Sequence, residues 1–194
     1  MVDGAASLLS IFHGLMAAGR WNDGARGANL LDGGAPFYDT YTATDGRHIA
    51  LGALEPKFFA EFAQRIGLPE RFVKRQYDVK IWPEMREAIA AIIATRTRDE
   101  WAALLEGTDA CVAPVLSITE APRHAHARER QGFVEIGGVV QAAPAPRFSR
   151  TAAALPKPAP RIGEHSESVL AEAGFSSDEI TTLHRAGAML QAVA

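Results

Sequence analysis

The sequence contains a single cysteine, Cys111, among its 194 residues. One cysteine excludes an intrachain disulfide framework and suits a reducing compartment. The sequence shows no N-terminal leader pattern of charged and then apolar residues, and no uninterrupted apolar stretch of about 18 residues that would span a membrane. We therefore expect a cytoplasmic protein with no membrane partner.

Basic residues are also few, and they do not cluster. Twenty Lys and Arg stand against 23 Asp and Glu, which gives a formal net charge of -3. The chain has no Lys/Arg run of the kind that follows a phosphate backbone, so nucleic acid is excluded as an expected partner. With 47% apolar and 22% charged residues, the chain can bury the core of one ordinary domain, with or without appendages.

The common motifs for cofactors and nucleophiles are absent. The sequence has no GxGxxG, P-loop, GxSxG, CxxC or HExxH, and we expect no cofactor. His124 and His126 would share a face only in a strand, whereas the surrounding sequence predicts a helix, so no metal site is expected. Cys111 precedes a valine and is expected to be a small buried hydrophobe rather than a nucleophile.

Hydrophobic periodicity predicts an α/β fold. Apolar residues at helical spacing predict a helix over residues 5–18, ended by Gly19. Alternation from Phe37 onwards, interrupted by Asp45-Gly46, predicts a β-hairpin. Further helices are predicted over 58–66, over 82–93 and after Thr97, where Thr97 and Glu100 form a capping box. A valine-rich buried strand is predicted over 110–117.

The remaining segments predict connectors and terminal helices. Residues 19–36 are rich in Gly and Asn/Asp without periodicity, and residues 142–160 contain five prolines, so both should be linkers. Strand pieces are predicted in "GFVEIGG" and "VVQ", and two short helices close the chain, the second with a capping box of Ser176 and Glu179. The first helix and the proline-rich arm either contact another chain or domain, or fold back on the block between them. Composition does not favour one of these arrangements over the other.

Glu55 is the most informative single residue. It lies between an apolar strand end and Pro56, so it falls at a helix N-cap, where glutamate is not among the preferred residues. A carboxylate there meets the positive end of the helix dipole. Two interpretations follow: a solvated carboxylate that satisfies helix amides, or an anion that orients an imidazole or acts as a general base. Asp32-Gly33-Gly34 is consistent with a plain turn.

A resemblance to a known family covers essentially the whole chain. Its segments, in this order and spacing, resemble the C-terminal half of the α-methylacyl-CoA racemase branch of the family III CoA-transferase (CaiB/BaiF) superfamily. The segments are "RGANLLDGGAPFYDTY", "TDGRHIALGALEPKFF", "GTDACVAPVLS", "PAPRFSRT" and "IGEHSESVLAEAGFSSDEI". The closing "IGEH" is common to the superfamily, whereas "LDGGAPFY", "GALEP" and "TDACVAPVL" favour the racemase branch.

The resemblance implies an architecture of interlocked homodimers, each subunit with a large and a small α/β domain joined by two linkers. Residues 1–36 would hold the terminal helix of the large domain plus a linker. Residues 37–135 would be the small α/β domain, a hairpin with helices and short strands. Residues 136–194 would hold the return linker and the C-terminal helices. The partner would be a second copy or a complementing N-terminal half.

The resemblance also implies the chemistry, which is inversion at the α-carbon of a 2-methylacyl-CoA thioester through an enolate. The family's proton carriers, a His and an Asp, are expected in the half that would precede Met1. Glu55 matches the family's glutamate in "GALEP", which hydrogen-bonds the catalytic histidine, so it is the candidate catalytic residue of this chain. Leu31, Tyr38 and Leu54 match positions lining the acyl groove, with a role in the core as the alternative. CoA is part of the substrate.

Two other functions remain open at this point. The chain could be a catalytically inactive truncated fragment that binds acyl-CoA or a partner subunit. It could also be a family III CoA-transferase or another acyl-CoA isomerase, for which the acyl-aspartate would again form on the half that this chain lacks.

Overall fold

The computed structural model describes residues 1–155 and 157–190. The chain divides into two compact units, residues 1–116 and 117–194. Each unit combines helices with a small antiparallel sheet, so the predicted α/β class is confirmed. Within the described ranges, no helix has both the length and the apolar character needed to cross a membrane. The assignment of segments to a large and a small domain stays a prediction.

The sheet of the first unit contains the predicted hairpin. Strands β1 (Tyr38–Thr42), β2 (His48–Gly52) and β3 (Val112–Pro114) pair antiparallel in that order. The turn between β1 and β2 contains Gly46 at φ 74, which is a conformation that glycine adopts without steric cost. Because side chains alternate between the two faces of each strand, Tyr41, Ile49 and Leu51 point into the core.

The predicted buried strand over 110–117 is wrong in extent and burial. Strand β3 is only three residues long, and it lies at the sheet edge with Ala113 exposed. Pro114 cannot donate to a second neighbour, and proline in a sheet is confined to such edges. The valine-rich composition is therefore that of a half-buried edge strand.

The first unit has six α-helices within its described residues. The predicted helix over 5–18 is two helices, which meet at Leu9. At the end of the second, Gly19 has φ 66 and the amide of Arg20 donates to the carbonyl of Leu15 at 2.8 Å, as in a Schellman cap. The helices are α1 (Val2–Leu8), α2 (Ser10–Ala17), α3 (Pro56–Ile66), α4 (Glu70–Val73), α5 (Trp82–Ile93) and α6 (Arg98–Leu105).

The core of the first unit packs α3, α5 and α6 against one sheet face. Its fully buried members include Phe59 and Phe62 from α3 and Met85 and Ile89 from α5. Burying a side chain of this size contributes roughly 1.5–3 kcal/mol. The capping box of Thr97 and Glu100 at the start of α6 is confirmed. The candidate site lies at Tyr38, Ala50 and Gly52, whose side of the strands is opposite to that of Tyr41 and Ile49.

Phe37, immediately before β1, is fully buried at the centre of an aromatic cluster. Its ring centroid lies 5.5 Å from Phe59, 5.6 Å from Tyr77 and 5.8 Å from Trp82. The Tyr77 and Trp82 rings meet it edge-on, a preferred geometry for aromatic pairs. This cluster joins the start of β1 to the segment between α4 and α5.

The second unit contains α7 (Ala125–Glu129), β4 (Phe133–Ile136), β5 (Val139–Ala142), α8 (Ser166–Glu172) and α9 (Ser177–Arg185). The two predicted strand pieces are present as β4 and β5, and they pair antiparallel in a hairpin that the sequence analysis did not predict. The described residues between β5 and α8 contain neither helix nor strand, as expected for a proline-rich arm. The capping box of Ser176 and Glu179 is confirmed.

Candidate functional site

Glu55 is fixed through its backbone while its side chain is free of capping bonds. It is the N-cap of α3, with φ -76 and ψ 143, and its carbonyl accepts from the amides of Phe58 at 3.1 Å and Phe59 at 3.0 Å. The exposed carboxylate makes no side-chain capping hydrogen bond. The interpretation in which this carboxylate satisfies helix amides is therefore wrong. The carboxylate is available to another group.

A groove lies on the face of the sheet that points away from the core. It has a volume of about 500 Å³. Tyr38 stands directly opposite Gly52 in the β1–β2 register, and a Cβ added to Gly52 would lie 3.8 Å from the Tyr38 ring. The ring therefore extends over the glycine. The lining residues are Tyr38, Asp39, Thr40, Ala50, Leu51, Gly52, Thr108, Cys111, Val112 and Ala113.

Cys111 lines this groove and is exposed, so the expectation of a buried cysteine is wrong. The chain places Ala110 in the core instead and then takes φ 53 at Cys111, a positive value that few non-glycine residues adopt. Partial loss of solvent around the Cys111 thiol raises its pKa, and the negative charges of Glu55 and Asp109 raise this pKa further. Cys111 is therefore a protonated thiol at neutral pH, and its pKa responds to the charge of Glu55.

The predicted substrate-binding residues occupy different environments. Tyr38 is 41% exposed and lines the groove. Leu54 is half-buried and packs against the core, while Leu31 is 44% exposed in the loop before β1. Of the three, only Tyr38 is among the described residues that line the groove. The acyl-binding roles of Leu31 and Leu54 stay predictions.

The loop that contains Leu31 is held by Asp32. The carboxylate of Asp32 accepts from the backbone amide and the side-chain amide of Asn29, both at 2.7 Å, and from the amide of Gly34 at 3.2 Å. Burial opposes ionisation, but these hydrogen bonds prevail and hold the pKa of Asp32 below its usual value. The "DGG" turn is thus a fixed element, as the plain-turn interpretation requires.

Arg86 on α5 ties the same loop to β1, and the sequence analysis missed it. Its Nη2 donates to the carbonyls of Gly33 at 2.8 Å and Gly34 at 2.9 Å, and its Nη1 pairs with Asp39 in the groove wall. Gly34 is tightly packed, since an added Cβ would lie 2.5 Å from the carbonyl oxygen of Asn29. No local pattern in the sequence joins Arg86 to a loop about 50 residues earlier.

Two further residues that sequence reasoning missed, Gln76 and Tyr77, contact the segment between β2 and α3. Both donate side-chain hydrogen bonds to the carbonyl of Leu54, at 2.9 Å and 2.6 Å. They lie in "VKRQYDVK", a stretch without clear helix or strand periodicity. Nothing in that stretch signals a contact with residues more than 20 positions earlier.

A larger hollow of about 750 Å³ lies elsewhere in the first unit, between the connector after α2 and the start of α5. Its lining includes Arg20, Trp21, Trp82 and Arg86, but none of the predicted site residues. Size alone therefore does not identify the candidate site. Across residues 1–155 and 157–190, no group of three or more His, Cys, Asp or Glu could hold a metal ion.

Comparison with known proteins gives relatives along nearly the whole chain. The chain is 44% identical over 186 residues to the α-methylacyl-CoA racemase of Mus musculus and 41% identical over 187 residues to that of Homo sapiens. Each match covers 95% of this chain and 49% or 48% of the relative. The chain thus spans about half the length of these curated relatives.

Solved structures give the same fold. A CaiB/BaiF family protein from Brucella suis is 20% identical, with a TM-score of 0.56 over 86% of this chain and 44% of that protein. At this identity the likeness concerns the fold alone. The sequence model of CoA-transferase family III matches residues 1–166, and the chain therefore belongs to CoA-transferase family III.

Proposed function

We propose that the chain supplies the small-domain half of an active site that inverts the α-carbon of 2-methylacyl-CoA thioesters. The observation that carries this proposal is the identity of 44% and 41%, over 95% of the chain, to proteins named α-methylacyl-CoA racemase. The substrate would be the acyl-CoA itself, with CoA as part of it and no separate cofactor. We place the protein in lipid metabolism, in the cytoplasm and in a homodimer.

The reaction is a pair of proton transfers without a change of oxidation state. A base removes the α-proton, the C–H electron pair delocalises into the thioester carbonyl as an enolate, and an acid returns a proton to the opposite face. Such chemistry needs two opposed proton carriers and a group that stabilises the enolate oxygen. The resemblance assigns the two carriers to the half of the relatives that this chain does not cover.

Glu55 would act by orienting the imidazole of the histidine carrier. A carboxylate that accepts a hydrogen bond from one ring nitrogen fixes the tautomer, so that the other nitrogen can accept the α-proton. This role is supported by the exposed carboxylate without a capping bond. Tyr38 would contact the acyl chain. This role is supported by the position of its ring in the groove, over Gly52, which has no side chain. Leu31 and Leu54 would complete an apolar surface.

The experiment that tests the proposal is α-proton exchange of a 2-methylacyl-CoA in D₂O, followed by NMR. The chain is measured alone and after addition of the N-terminal half of a racemase relative. We expect exchange only in the mixture, and loss of most of that exchange with Glu55→Gln. Exchange by the chain alone would contradict the division of the proton carriers between the two halves.

Binding can be measured separately through the thiol of Cys111. Because Cys111 lines the groove and is the only cysteine, a bound acyl chain should slow its alkylation. Desulfo-CoA is the control, since it lacks the acyl group and also the thiol that would itself react with the alkylating reagent. Protection without exchange in either sample would support the fragment that only binds acyl-CoA.

A second function, CoA transfer, is favoured by the description of the matched family as CoA-transferases. Such an enzyme would move CoA from the acyl-CoA to a second carboxylic acid. CoA transfer is distinguished from racemisation by adding a carboxylic acid, with acetate and succinate as probes. The formation of a new CoA thioester is then measured. We expect none above the rate without acceptor, and a new thioester would overturn the racemase assignment.

A further inference from the structure

The backbone that leads into Glu55 is held by a set of side-chain hydrogen bonds from one short segment. The side-chain nitrogen of Gln76 donates to the carbonyls of Ala53 at 3.2 Å and Leu54 at 2.9 Å. The phenol of Tyr77 donates to the carbonyl of Leu54 at 2.6 Å. A carbonyl oxygen has two lone pairs, so that of Leu54 is saturated.

The donor side of this contact is itself fixed. Gln76 is 4% exposed, and its own carbonyl accepts from the indole nitrogen of Trp82 at 2.8 Å. The two carbonyls that face the Gln76 side chain require its nitrogen there, and its Oε1 is buried without a hydrogen-bond partner among the described residues. A buried amide oxygen without a partner costs stability. The Gln76 side chain therefore keeps its two hydrogen bonds to the Ala53 and Leu54 carbonyls although its oxygen has no partner.

The acceptor side fixes Glu55 from both directions. The Leu54–Glu55 peptide is held by Gln76 and Tyr77, while the carbonyl of Glu55 accepts the first bonds of α3. Only the side chain of Glu55 is left without capping bonds. A functional group held within a fraction of an ångström by supporting contacts is what catalysis by positioning requires.

We infer that Gln76 and Tyr77 are positioning residues that hold the Glu55 backbone, so that its side chain extends from a fixed point at the start of α3. The inference rests on the proposed role of Glu55. Tyr77 also contacts Phe37, the residue before Tyr38. The same segment therefore holds Glu55 on one side and, through Phe37, the start of the strand that carries Tyr38 on the other.

The test uses the pH profile of Cys111 alkylation by iodoacetamide on the chain as it is. The thiol pKa is set by burial and then by the charges of Glu55, Asp109, Glu61 and Lys57. Glu55→Gln removes the negative charge of Glu55, which raises the thiol pKa. The alkylation profile of this variant should therefore lie at lower pH than that of wild type. Tyr77→Phe should shift the profile away from that of wild type, because a loosened Glu55 takes up other distances from the thiol and its charge then acts differently on the thiol pKa. When Tyr77→Phe is added to Glu55→Gln, the alkylation profile should equal that of Glu55→Gln alone.

Tyr41→Phe is the matched control. The phenol of Tyr41 also donates to a backbone carbonyl of the same unit, but this carbonyl is that of Pro36 and not one in the segment that leads into Glu55. We expect its alkylation profile to equal that of wild type. Gln76→Leu serves as the second variant, with circular dichroism to verify the fold of each. Wild-type profiles in both Tyr77→Phe and Gln76→Leu would overturn the inference.

This readout needs no turnover, so it separates the positioning role from the proposed reaction. If the reaction is absent, α-proton exchange fails while the profiles still shift. Where exchange occurs in the mixture with an N-terminal half, Tyr77→Phe should lower kcat and leave KM unchanged, because Tyr77 does not line the described groove. An increase in KM alone would contradict a role that acts through Glu55.

Discussion

Glu55 combines a rigid backbone with a carboxylate that the fold does not use. The sequence already marked it, because glutamate is a poor N-cap and Pro56 fixes the helix start next to it. The structure adds that the side chain is exposed and makes no capping bond. A residue with no local structural role can be replaced with little effect on folding.

We therefore expect Glu55→Gln to change the free energy of unfolding by less than about 0.5 kcal/mol, as for exposed positions in general. In the mixture with an N-terminal half, it should lower turnover about tenfold or more, since the histidine that Glu55 orients would lose part of a general acid-base contribution of about 10²–10⁴-fold. Denaturant unfolding and α-proton exchange measure the two effects. Wild-type turnover in this variant would contradict the role of Glu55, and a large loss of stability would contradict the absence of a structural role.

Other residues of the site could not be found from the sequence. Cys111 was expected to be buried, but the chain turns through a positive φ at that residue and places Ala110 in the core. Arg86, Gln76 and Tyr77 act on backbone carbonyls far away in the sequence. Contacts of this kind depend on the tertiary arrangement. Every residue has a backbone carbonyl, so the residue type of the acceptor does not reveal the contact.

The helices and the first hairpin could be predicted closely, since their signals are local. Helix α5 begins and ends where the apolar spacing places it, and both capping boxes form. The predictions failed where the surroundings decide. The periodic stretch over 5–18 breaks at Leu9, and the strand over 110–117 shortens because it pairs on one side only.

The capping box at α6 gives a prediction on pH dependence. The amide and hydroxyl of Thr97 donate to the carboxylate of Glu100, both at 2.8 Å, and hold the pKa of Glu100 below its ordinary value of 4.5. A carboxylate whose pKa is lower in the folded chain stabilises the fold fully at pH values above its unfolded-state pKa. This contribution is lost as the pH falls through the folded-state pKa.

We therefore expect Glu100→Gln to lower the thermal midpoint of the first unit at pH 7. The difference from wild type should shrink as the pH falls below 4.5 and through the lower folded-state pKa of Glu100, because the group is then protonated in both the folded and the unfolded chain. Glu87→Gln, an exposed change of the same charge on α5, is the control and should show a smaller difference at pH 7. A difference for Glu100→Gln that stays constant as the pH falls from 7 through the acid range would contradict the assignment.

At the scale of the whole molecule, α1 and α2 carry large apolar side chains on their surface. Leu8 is 79% exposed and Met16 is 41% exposed, although both belong to the apolar stripe that predicted the helix. Such a surface favours association with another chain. The resemblance expects a second subunit or an N-terminal half in this place.

We expect the weight-average mass of the isolated chain in sedimentation equilibrium to rise with concentration. Leu8→Lys combined with Met16→Lys should suppress this rise. Val169→Lys, which replaces an apolar residue that is 59% exposed on α8, is the control and should leave the rise unchanged. Equal suppression by the control variant would indicate nonspecific association instead.

The single cysteine also has a consequence for counting. Each chain contributes one thiol, and that thiol lines its groove. The number of labels per assembly therefore equals the number of open grooves, whatever the number of chains. In a symmetric dimer saturated with acyl-CoA, two protected thiols would mean that both sites fill together. One protected and one reactive thiol would mean that occupation of the first site prevents acyl-CoA from binding at the second, whose groove stays open.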